Sequence, residues 1–131
     1  MPLPYIDEHA IWIAAPRPVV HEALERYAAG VCRGERPLLS RLLRLQPRSG
    51  FMTAATAPGE QVKLEGRHRF ATYALAFATN DDSGGTMLRA ITYARFPGIQ
   101  GGAYRALLMG TGGHTFATRR ILRSIKRIAE R

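Results

Sequence analysis

"YRALLMGTGGHTFATRRILRSIKRIAER", residues 104–131, closes the chain with a strongly amphipathic, basic pattern. From Gly113 onward, at roughly 100° per residue, His114, Ala117, Thr118, Ile121, Leu122, Ile125, Ile128 and Ala129 share one face, while the arginines take the other. Such a helix must lay its apolar stripe on something. Extending the same register backward puts Ala103, Tyr104, Leu107, Gly110 and Thr111 on that stripe too. The sequence therefore predicts one long helix, bent locally at its glycines, each of which costs about 1 kcal/mol relative to alanine.

The segments upstream supply the surface for it to cover. In "YIDEHAIWI" (5–13), Asp7, His9, Ile11 and Ile13 alternate with Ile6, Glu8, Ala10 and Trp12, the period of a strand. "AAPRPVVHEALERYAAG" (14–30) has prolines where a first helical turn accepts them, apolar Val19, Val20, Ala23, Leu24 and Tyr27 at helical spacing, and Gly30 as a stop. "ERPLLSRLLRLQP" (35–47) reads as a short second helix. From residue 51 the pattern is that of antiparallel strands: "FMTAAT", a turn at "APGE", "QVKLEG", "RHRFATYALAFAT" (67–79), a turn at "NDDSGG", and "TMLRAITYARF". In the last of these, Leu88, Ala90, Thr92, Ala94 and Phe96 form a small, apolar inward face, and Arg89, Tyr93 and Arg95 point away. In 67–79 the side carrying Tyr73, Leu75 and Phe77 is expected inward.

At 131 residues, the chain is expected to form one domain, 1–131, able to bury a sufficient core without metals or disulfides. Cys32 is the one cysteine, which excludes an intrachain disulfide and a multi-cysteine zinc site and fits a reducing cytoplasm. "MPLPYIDEHA" has no basic region followed by an apolar run, and no stretch reaches the ~18 to 20 apolar residues of a membrane span. The formal charge of +9 is unevenly spread. Residues 1–66 carry eight bases and seven acids, whereas 67–131 carry eleven and three. Arg119, Arg120, Arg123, Lys126, Arg127 and Arg131 close the chain, a face that would suit an anionic partner. Seventeen of the nineteen bases are arginine, a bias that a GC-rich coding sequence also produces without any binding role.

The glycine cluster around Met109–Phe116 admits two readings. A dinucleotide-binding turn requires a second strand downstream, and a P-loop requires Lys-Ser or Lys-Thr; both are missing. What remains is an anion site at a helix N-terminus, or a bend that aims His114. His114 sits near the centre of an apolar stripe, where an imidazole needs a partner. As a core residue it would bond a backbone carbonyl or Thr118; as a functional one it would be a hydrogen-bond donor or a general acid or base. Tyr73, Tyr104, Thr118 and His9 are the polar residues expected to share its surroundings. The four histidines lack the short paired spacings of a metal site, so neither metal nor cofactor is expected. No serine has the context of a hydrolase nucleophile.

The order of elements resembles the helix-grip fold of the START and Bet v 1-like superfamily, which includes polyketide cyclases and lipid-transfer domains. "IDEHAIWIAAPRPVVHEAL" is similar to that superfamily's first strand passing through an "APxxVV" turn into its first helix. Residues 104–131 are similar to its C-terminal helix, particularly in bacterial members. The resemblance implies an α+β helix-grip fold: a curved antiparallel sheet wrapped around a long C-terminal helix, with two short helices after the first strand. It also implies an apolar cavity between sheet and helix for a small hydrophobic or aromatic ligand, lipids included. No catalytic signature is shared across the superfamily, so cyclase or dehydratase chemistry stays open. Two other readings stand beside it: an interaction protein using the basic helix face on nucleic acid, an anionic membrane or an acidic protein, and a homodimerisation module. Nucleic acid is disfavoured because no exposed aromatics interleave with the arginines.

Overall fold

The computed structural model describes residues 3–33, 51–54 and 61–131. Its elements are β1 (Tyr5–Ile13), α1 (Arg17–Arg33), β2 (Met52–Thr53), β3 (Val62–His68), β4 (Ala71–Asp82), β5 (Gly85–Arg95), α2 (Gly98–Gly110) and α3 (Gly113–Ala129). The strands form one antiparallel sheet in the order β1-β5-β4-β3-β2, and the helices pack on one face of it. This is the expected α+β helix-grip arrangement. The helix expected at 35–47 and the turn at 57–60 lie outside the described residues. No described helix is long and apolar enough to cross a membrane.

Three expectations are corrected. Gly30 does not stop the first helix, which runs on to Arg33; its Cβ position meets open space, so glycine there only lowers propensity. The run 67–79 is two strands, because Arg69 and Phe70 form a tight turn between β3 and β4. The C-terminal helix is likewise two helices. Thr111 caps α2, and Gly112 takes a left-handed φ of 74°, a conformation that L side chains avoid. That break frees α2 from the register of α3, so Ala103, Leu107, Gly110 and Thr111, expected on the buried stripe, are exposed.

Partners in register share a face, so the side of the sheet beneath the helices can be followed row by row. Ile11 pairs with Leu88, and His9, Ala90, Phe77 and Val62 form the next row. Asp7, Thr92, Leu75 and Leu64 follow, then Ala94, Tyr73 and Gly66, then Ala71 and His68. The core occupies the earlier rows: Val20, Ala23, Leu24 and Ala28 of α1, with Leu122, Ile125 and Ala129 of α3, close over Ile13, Leu88, Ala90, Phe77, Leu75 and Leu64. The expected inward faces of β4 and β5 are the observed ones, and on β1 the inward side is that of Asp7, His9, Ile11 and Ile13. At the far edge the β4–β5 hairpin turns through Ser83 and Gly84, both at positive φ, the geometry that matches strand twist in a two-residue turn.

Candidate functional site

Beyond the apolar rows, the inner face becomes polar. Asp7 and His9, two residues apart on β1, project to the same side, and His114 reaches them from the first turn of α3. His114 Nε2 lies 2.9 Å from Asp7 Oδ1, and His9 Nε2 lies 3.1 Å from Asp7 Oδ2. One carboxylate thus bridges two imidazoles, in the tautomers that donate from Nε2. The side chains are 14% exposed for His114, 19% for His9 and 31% for Asp7, so the cluster is sheltered but has an open side. Burial pushes the Asp7 carboxyl up, but hydrogen bonding and charge from His114, and then from His9, outweigh it and hold the group below its ordinary 3.8. Thr92, the cross-strand neighbour of Asp7, is 7% exposed, and its Oγ1 is buried without a hydrogen-bond partner among the described residues.

A second group lies toward the β3–β4 turn. Tyr104 of α2 stacks on Phe70 with ring centroids 5.3 Å apart and meets the edge of His68 at 5.1 Å. Tyr73 packs against His68 at 5.6 Å and Phe51 at 5.4 Å. Gly101 makes this approach feasible: a Cβ there would fall 2.7 Å from the Phe96 carbonyl carbon and 3.1 Å from the Phe70 carbonyl oxygen. Burial lowers the His68 pKa and raises that of Tyr104, so both are held neutral near pH 7.

The sequence candidates therefore divide between two clusters. His9 and His114 come together, Tyr73 and Tyr104 meet around His68, and Thr118 joins neither: its hydroxyl donates 2.9 Å to the backbone oxygen of His114 one turn earlier. Among the described residues the His114 ring is bonded neither to a backbone carbonyl nor to Thr118; its partner is Asp7. Sequence reasoning missed Asp7, although it shares its strand face with His9, and a carboxylate ahead of inward apolar residues was the available signal. It also missed His68 and Thr92, which only register brings to this face.

Of the basic tail, Arg119, Arg120, Arg123, Arg127 and Arg131 are exposed. Lys126 is committed elsewhere, donating 2.8 Å to the Trp12 carbonyl and lying 3.5 Å from Glu130. Two open grooves flank α1. One, of about 220 Å³, is lined by Val19, Glu22, Arg26 and Ile128, and the other, of about 540 Å³, by Ala28, Cys32, Thr53 and Val62. Neither is lined by His9, Tyr73, Tyr104, His114 or Thr118.

The sequence matches no family model and no curated protein. Among solved structures the chain is similar to TTHA0849 from Thermus thermophilus, with a TM-score of 0.57 at 10% identity over 96% of this chain and 97% of that one. That likeness concerns the fold alone. Ara h 8.0201 aligns more loosely, with a TM-score of 0.38 at 8% identity over 94% and 95% of the two chains.

Proposed function

We propose that the protein binds a small, mainly hydrophobic molecule between the sheet and its C-terminal helices. The ligand's polar end meets Asp7, His9 and His114, and its apolar body lies toward Tyr73 and Tyr104. The observation that carries this reading is the orphan hydroxyl of Thr92, unpaired among the described residues, in the same row as the Asp7 carboxylate. A buried hydroxyl left unpaired costs about 1–3 kcal/mol, so a guest that satisfies it gains accordingly. Chemistry of the cyclase or dehydratase kind would draw on the same cluster, in which Asp7 holds Nε2 of His114 and orients the ring.

Native mass spectrometry of freshly purified protein, followed by thermal-shift screening with fatty and aromatic compounds, tests the proposal. A bound ligand raises the melting temperature in a concentration-dependent way, and His114→Ala weakens binding while the fold persists. Unchanged binding in His114→Ala, together with a large loss of stability, would sink it.

A second reading rests on the five arginines on and just beyond α3, which are exposed and carry no side-chain ion pair among the described residues. They would suit an anionic partner. Such binding should weaken steeply as salt rises, whereas pocket binding should not.

A further inference from the structure

We propose that Asp7, His9 and His114 form a site for one divalent transition-metal ion of the zinc, cobalt or iron(II) class, with coordination positions left open toward solvent. Three donor atoms, one from each residue, lie within 4.8 Å of one another. Ligand atoms about 2.1 Å from a common ion stand roughly 3.0 to 3.4 Å apart in octahedral or tetrahedral geometry, so small side-chain rotations bring these three into place. Two imidazoles and a carboxylate are a borderline donor set that selects these ions over magnesium or calcium, and three protein ligands leave room for water or a substrate oxygen.

The donors are also well anchored. Asp7 and His9 share the inward side of a paired strand, and α3 is pinned by Leu122 and Ile125, both fully buried. Without an ion, the three groups are held together by two shared protons. An ion would replace both at the two Nε2 atoms, each ring then carrying its proton on Nδ1. Thr92 Oγ1, buried and unpaired among the described residues, lies on the neighbouring strand in the row of Asp7. Elsewhere, half-buried His21 pairs with exposed Glu25, only two donors, which makes His21 a suitable control.

This inference adds an ion to the cluster of the proposed ligand site but does not need the organic ligand for its test. Untagged protein is titrated with Co2+ and followed by visible d–d absorption, then by displacement with Zn2+. The expected result is one Co2+ per chain, bound at least tenfold more weakly by His9→Ala, His114→Ala and Asp7→Asn. His21→Ala should bind as the parent does. Because Asp7→Asn keeps the shape of the side chain, a loss there is not a folding defect, and circular dichroism checks that point. Absence of a stoichiometric d–d spectrum overturns the metal site, as does equal affinity in the three cluster variants, or a loss confined to His21→Ala. Organic ligand binding is measured separately with EDTA present. Binding there without a Co2+ spectrum removes the ion and leaves the pocket, and a Co2+ spectrum without organic binding does the reverse.

Discussion

Thr86 and Thr92 sit on the same side of β5, both buried, and differ in what they face. At the end closed by α1, Thr86 is fully buried, pairs in register with Ile13 and donates 2.8 Å to the Ala15 carbonyl. Six residues on, Thr92 has no partner among the described residues, and its row neighbour is a carboxylate shared by two histidines. The first hydroxyl is satisfied within the fold and the second is not, although α1 also carries a buried unpaired atom, His21 Nδ1. A protein concerned only with stability would gain from extending the first arrangement along the whole strand, because each unsatisfied polar group costs free energy. The apolar core thus lies at the α1 end, and the site of the proposed ligand lies beside the unpaired hydroxyl toward α2.

The largest effect that could break this division lies at the closed end. Phe77→Ala, at a fully buried position, should cost about 3–5 kcal/mol in urea unfolding; a cost below 1 kcal/mol would show that this end is not the stability core. Gly112→Ala should cost about 1–2 kcal/mol, because its φ of 74° strains any L side chain although the Cβ itself meets open space.

Smaller effects sharpen the open end. Burial lowers the His68 pKa, so the unfolded chain takes up a proton first as pH falls. Stability is then fully present above the unfolded value near 6.5 and declines as pH drops toward the lower folded value. His68→Phe should flatten the decline between about pH 7 and pH 5 in thermal unfolding, and an unchanged slope would count against a buried neutral imidazole. The smallest shift, and one of opposite sign, is expected from Thr92→Val. Removing an unpaired hydroxyl should leave stability equal or raise it by up to about 1 kcal/mol, while binding of a ligand that meets that hydroxyl weakens. A clear loss of stability would mean that Thr92 has a partner within the fold.

Much of the fold was legible in the sequence, for identifiable reasons. The inward face of β5 followed from strict alternation, and the α3 stripe from helical spacing, because each pattern has one apolar side. Both sides of β1, by contrast, mix polar and apolar residues, and alternation gave only the strand. The β4 sides were harder to separate. Ala74 and Ala76 are buried on the outer side as well, flanked across the sheet by Tyr93, Ile91, Lys63 and Glu65, so a central strand reads as apolar on both sides. The Arg69–Phe70 turn was invisible because it carries no glycine, proline or asparagine.

By itself, then, the sequence determined the class of fold and the position of His114 on the inner side of the last helix, since periodicity and charge are local properties of the chain. Only the tertiary structure decided that Gly112 ends one helix and begins another, that the His114 ring meets Asp7, and that Thr92 lies beside that carboxylate. Those facts depend on which strands pair in which register and where the last helix docks, and the contact between His114 and Asp7 joins residues 107 positions apart, beyond the reach of any local pattern.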